Sequence, residues 1–249
     1  MRLISAVIIG CFLVAGTGLA EAGTRPHFVE PQLYISKGSA GTPQVALTLD
    51  ACSGQTDQRI LDTLVENHIP ATIFVTGRWL KRNARSIAIM KAHPELFQME
   101  NHGLDHVPAI DGQPLMFGLK TAGSLPAIRA EIQGGTDAMA AASLTKPVWY
   151  RDATARYSDD AITLIHEMGY RVAGYSLNAD MGASLLAGQV EKRISAARDG
   201  DVIIAHINQP NRAAGAGVVK GILALKQKGF RFMRLEDVRE SDKPLGPNA

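Results

Sequence analysis

Several short stretches of this chain put titratable side chains where chemistry can use them. Asp50 closes an apolar run, His102 and His106 follow Asn101, Arg151 follows Tyr150, Asp180 follows Asn178, and His206 ends another apolar run. A carboxylate and an imidazole differ in proton affinity and can divide the work of base and acid. Histidines four residues apart can meet one ion when the segment turns helically, because i and i+4 share a face. Neutral imidazole suits zinc, and such a pair is a common start for a site that adds a carboxylate and keeps positions open for water. Any one of these polar residues is equally well read as a cap for the next helix; the set points to a site. His27, His68, His93 and His166 fall in expected loops or helices and read as surface or cap residues.

The surrounding elements explain how such residues come together. Short β-branched and apolar runs at 44–50, 71–76, 96–101, 148–151, 170–177, 202–206 and 231–235 read as buried strands. Helical spacing fills the segments 57–68, 80–91, 126–142, 159–168, 187–198 and 218–228, and Gly169, Gly200 and Gly229 stand where helices stop. This alternation predicts a parallel sheet with helical crossovers, and about seven units without a linker favour a single distorted (β/α) barrel. Each candidate residue then lies at the carboxyl end of a strand, the end that carries chemistry in parallel α/β folds. The Gly- and Pro-containing stretch 107–124 is expected to be a long loop over the site.

The chain has 249 residues, 46% of them hydrophobic and 20% charged, which excludes a disordered or fibrous protein. Lys+Arg total 26 against 24 Asp+Glu, and aromatics are 6%, so neither a basic footprint nor stacking surfaces argue for nucleic acid. Residues 1–22 have the layout of a secretory signal: Arg2, an apolar run, then small residues that allow cleavage after Ala20 or Ala22. An uncleaved anchor is the alternative; after cleavage no stretch is long enough to span a bilayer. Cleavage also removes Cys11 and leaves Cys52 without a partner for an intramolecular disulfide, in an oxidising compartment. The expected layout is a signal at 1–22, a lead segment at 23–43, a barrel at 44–238 and a mobile tail at 239–249.

The order Leu47-Thr48-Leu49-Asp50, Asn101-His102-x-x-x-His106, Tyr150-Arg151, Asn178-x-Asp180 and Ile204-Ala205-His206 resembles the five motifs of the polysaccharide deacetylases with NodB homology. The run from Ile69 through Pro70, Ala71, Thr72, Ile73, Phe74, Val75 and Thr76 to Gly77 is similar to the second-strand segment of that family. The resemblance covers most of the chain from about residue 44 to 238. It implies an exported hydrolase that uses a divalent metal, usually zinc, to remove N-acetyl groups from an amino-sugar glycan such as peptidoglycan, chitin or an exopolysaccharide. It further implies Asp50 as the base for the attacking water, His102 and His106 as metal ligands and Arg151 as the group that orients Asp50. Asp180 would tether His206 or Arg151, and His206 would protonate the departing amine.

The chain departs from the family pattern in three places. Ala51 stands where the family has a second, metal-binding Asp; Arg151 is followed by Asp152-Ala153-Thr154 instead of Pro-Pro-Tyr; and Met181 replaces a Trp. The oxyanion donor would then be the backbone N–H of Thr154. The missing carboxylate leaves three candidates for a third metal ligand: Asp57, Cys52 and Asp50. Asp57 is equally a first-turn acid favoured by the helix dipole, and Cys52 a small buried residue, a free thiol or a thiolate ligand. Two other functions stay open: a glycan-binding barrel without turnover, and a hydrolase of another amide bond.

Overall fold

The computed structural model describes residues 27–39 and 41–237. The expected signal at 1–22 and tail at 239–249 lie outside the described residues. Seven strands follow one another by parallel pairing in the order Leu177–Asn178, Val202–His206, Gln44–Ala51, Ala71–Val75, Phe97–Asn101, Trp149–Tyr150 and Arg171–Val172, and Arg231–Met233 pairs beside the start of Gln44–Ala51. The sheet curls into a half-barrel with helices outside, as the strand–helix alternation predicts.

Strand periodicity sorts the two faces. Along Gln44–Ala51, Val45, Leu47, Leu49 and Ala51 join the main core under the helices, whereas Ala46 packs in the cluster inside the curl and Thr48 and Asp50 make their contacts there. Helix Gln58–Glu66 places Ile60, Leu61 and Leu64 on the outer core. Helix Ala214–Gln227 adds Val218, Ile222 and Leu225, and starts four residues earlier than the apolar spacing predicts.

The expected single strand 170–177 is instead two. Arg171–Val172 lies at one edge of the curled sheet and Leu177–Asn178 at the other, so residues 173–176 bridge the open seam. Ala173 N–H donates to the Tyr150 carbonyl on one side and Ser176 N–H to that of Val202 on the other. The lead segment lies over this bridge: Tyr175 N–H donates to the Pro31 carbonyl, and Phe28–Val29 pairs antiparallel with Tyr157–Ser158. The expected helix at 80–91 is also broken, into Gly77–Leu80 and Ala84–Ala92. Asn83 stands at the break, where its side chain accepts from Thr56 N–H and donates to the carbonyls of Gly54 and Trp79. Among the described residues no helix is long and apolar enough to cross a membrane.

Candidate active site

Sheet register brings the rim residues side by side. His206 is the direct neighbour of Asp50, Ala51 of Val75, Val75 of Asn101, and Asn101 of Tyr150. The residues that end these strands therefore share one rim, and Asp50, His102, Arg151, Asp180 and His206 are brought together there.

Arg151 is fully buried and fills the middle of the curl. Its guanidinium donates to Asp50 Oδ1 at 2.8 Å, to Thr48 Oγ1 at 2.9 Å, and to the carbonyls of Ala173 and Gly174 at 3.2 and 3.0 Å. It lies 4.2 Å from the centre of the Phe74 ring. One side chain thus orients Asp50 and ties the seam bridge to the sheet. Burial opposes ionisation of Asp50, but Arg151, with His102 and His206, outweighs it and holds the carboxyl below the usual carboxylate range.

His102 Nδ1 is 2.7 Å from the Arg151 carbonyl, so it must carry the proton it donates there. That bond turns the Nε2 lone pair of the neutral ring toward Cys52, whose sulfur is 3.7 Å away. The His102 and His106 rings stand edge to face with centres 5.0 Å apart. His106 Nε2 is buried without a hydrogen-bond partner. One ligand atom each from Cys52, His102 and His106 lie within 4.8 Å of one another. An orphaned imidazole nitrogen, a lone pair fixed by its neighbour and a thiol form a donor set that suits zinc. Burial raises the Cys52 thiol, but the neighbouring His102, His106 and His206 imidazoles carry it well below its ordinary value, toward thiolate.

Asp180 is fully buried and grips His206 twice, accepting from its backbone N–H at 2.8 Å and facing its ring Nδ1 at 2.9 Å. Its partner is therefore His206, while Arg151 is held by other groups. Burial works against a charged imidazole, yet the Asp180 carboxylate and Cys52 raise His206 well above the usual histidine range. The arrangement can hold a proton on His206 and accept one on Asp50, beside the Cys–His–His group.

A family model described as polysaccharide deacetylase matches residues 37–173, a little over half of the chain. This chain belongs to the polysaccharide deacetylase family. The family makes it a hydrolase of carbon–nitrogen bonds other than peptide bonds. No curated protein matches the sequence. Among solved structures, the chain is similar to a CE4 family pseudoenzyme from Bacillus anthracis, with TM-score 0.65 and 19% identity over 86% of this chain and 69% of that one. It is also similar to a family 4 carbohydrate esterase from Streptomyces lividans in complex with acetate, with TM-score 0.62 and 19% identity over 76% of this chain and 91% of that one. A peptidoglycan N-acetylglucosamine deacetylase gives TM-score 0.67 and 18% identity over 84% of this chain and 92% of that one. These likenesses establish the shared fold.

Two expectations for the chain are corrected by its geometry. Asp57 is not with the histidines: it caps helix Gln58–Glu66 and is held by Arg59, through the backbone N–H at 3.2 Å and the guanidinium at 2.8 and 2.6 Å. Cys52 is the third member of the cluster instead, and strand alternation was the signal for it. Thr48 and Asp50 face the interior, so two residues on Cys52 returns to that face, while Ala51 points into the outer core. Thr76 fixes the turn by donating its hydroxyl to the Cys52 carbonyl. The second correction concerns the Thr154 N–H, which donates to Asp152 Oδ1 at 2.8 Å and so is engaged within its own turn. Asp152 Oδ2 also accepts from Ala109 N–H at 2.8 Å, pinning the start of the 107–124 loop. That loop is partly ordered: Leu115–Met116 and Leu119–Lys120 pair antiparallel across Phe117 and Gly118, both at positive φ.

The buried carboxyls of the deacetylase set how its metal-free fold responds to pH. Burial pushes Glu100 up to about 7 and Asp152 up to about 6, and His102, against its burial, is raised to about 9 chiefly by Asp50. These three, like His206, bind protons more tightly folded than unfolded and lose stability as pH rises through their values, while Cys52, drawn toward thiolate, works in the opposite direction and offsets part of that loss. Metal-free protein is expected to be more stable near about pH 5 than near about pH 8, by on the order of 2–3 kcal/mol. Denaturant midpoints in chelator at the two pH values check this; a higher midpoint at the alkaline one would contradict it.

Proposed function

We propose that the chain is an exported deacetylase that removes N-acetyl groups from an amino-sugar polymer or oligosaccharide, with zinc held by Cys52, His102 and His106. The observation that carries the reading is the Cys52–His102–His106 group on the same rim as an Arg-held Asp50 and an Asp-held His206. Zinc bound there would polarise the acetyl carbonyl and make the attacking water more acidic. Asp50, kept ionised and fixed by Arg151, accepts the proton of that water. His206, kept protonated by Asp180, donates to the departing amine, which leaves poorly as an anion. The Nδ1–Asp180 bond leaves Nε2 as the nitrogen that transfers the proton. The glycan class rests on the family and on a solved relative whose name specifies peptidoglycan N-acetylglucosamine. Export to the periplasm or beyond rests on the signal-like residues 1–22.

Ala51 and the likeness to a pseudoenzyme favour one competing reading, a glycan-binding barrel without turnover. Zinc content and acetate release from chitooligosaccharides and peptidoglycan separate the two. The expected result is roughly one zinc per chain and acetate release that a chelator abolishes and zinc restores. Glycan bound by zinc-loaded protein with no acetate formed would establish the competing reading.

A further inference from the structure

The segment between the two histidines takes an unusual path. Gly103 has φ +87° and His106 has φ +62°, the left-handed region that a histidine seldom adopts. A backbone in that state persists only where its surroundings hold it. Gly77, Arg78 and Asn101 hold its first half, and the groups nearest His106 meet one residue of helix Leu125–Ala141, Glu131, which is 8% exposed. Glu131 Oε1 accepts from Asp105 N–H at 2.8 Å and from Val107 N–H at 3.1 Å, the backbone donors of the two residues next to His106. Its carbonyl accepts from Leu104 N–H at 3.1 Å. A side chain at position 103 would meet the same carboxylate, since a Cβ there would lie 2.4 Å from Glu131 Oε1. The glycine leaves the space in which the carboxylate sits.

We propose that Glu131 is a positioning residue for the metal site, and that its carboxylate aims the His106 ring by holding the backbone N–H groups of the residues on either side of it. The proposal rests on the reading of Cys52, His102 and His106 as a zinc site and adds a group that touches neither the ion nor the substrate. Both bonds run to one oxygen that accepts, so the role needs an acceptor at that point and not a charge.

Variants of the full chain test this: Glu131→Gln keeps the acceptor, Glu131→Asp withdraws it by one methylene, and Glu131→Leu removes it. Zinc affinity is read by competition with a chromophoric chelator, ligand geometry by the visible spectrum of the cobalt-loaded protein, and folding by circular dichroism of the metal-free form. The Gln variant should match wild type, while Leu should bind zinc about 10–100-fold more weakly with an altered cobalt spectrum, and Asp should fall between. Should the Leu variant fail to fold, the Asp variant decides. Leu or Asp variants that fold and give wild-type affinity and spectrum would overturn the proposal, as would a Gln variant as weak as Leu. A wild-type chain that takes up no zinc overturns the metal reading itself, before any variant is compared.

Discussion

Asp50→Asn is expected to lower turnover by about 10²–10⁴-fold, the range that positioned proton transfer contributes, while the protein still folds and still takes up zinc. The amide keeps an oxygen that can accept from Arg151, which now bonds Asp50 Oδ1 at 2.8 Å, so the geometry around the guanidinium is preserved. It cannot take a proton from water. The substitution has a cost in stability, because Arg151 is fully buried and Asp50 is its one carboxylate partner among the described residues. Breaking a buried pair typically costs about 3–5 kcal/mol. Here the bonds to Thr48 and to the Ala173 and Gly174 carbonyls remain and favour the lower end. Rates must therefore be taken well below the variant's melting temperature, with circular dichroism and zinc content measured on the same sample. A rate within about tenfold of wild type would remove Asp50 from the role of base.

The same geometry explains which parts of the site were legible in sequence. Asp50, Arg151 and His206 end apolar runs and His102 follows a strand end, and parallel pairing carries strand ends to one rim, so pattern alone places them together. The seam was not legible. From Val172 to Leu177 the residues are mostly apolar or small, with no turn dipeptide to mark the break, and they read as one strand. Only curling of the whole sheet puts 171–172 at one edge and 177–178 at the other. Glu131 was hidden for a related reason, since it lies on a helix 25 residues beyond His106 and its partners are backbone groups without a sequence signature. Asp57 and Cys52 were legible but misordered. Asp57 stands one residue before a helix, where a carboxylate serves as a cap, and Cys52 stands two residues after an interior-facing Asp.

That alternation leads to the second large effect, at Cys52. Cys52→Ala should fold, since it removes one sulfur from a small and nearly enclosed side chain, but it should lose zinc. Two imidazoles would remain, and loss of a direct ligand is expected to exceed the about 10–100-fold that loss of a supporting group costs. Acetate release should disappear with the metal and return only partly at high zinc concentration. Cys52→Asp separates ligation from a mere packing role. It keeps an anionic donor on the same Cβ, on the interior face to which Ala51 does not point, and should hold zinc better than the alanine variant. Wild-type zinc content and turnover in Cys52→Ala would make the thiol a simple core residue. Full zinc content with turnover lost would also defeat the ligand assignment, and it would point elsewhere. The His206 imidazole helps to draw the thiol toward thiolate, and Asp180 grips that ring in turn, so Cys52, His206 and Asp180 would then be tested as a nucleophile, base and orienting acid by trapping of an acetyl-thioester.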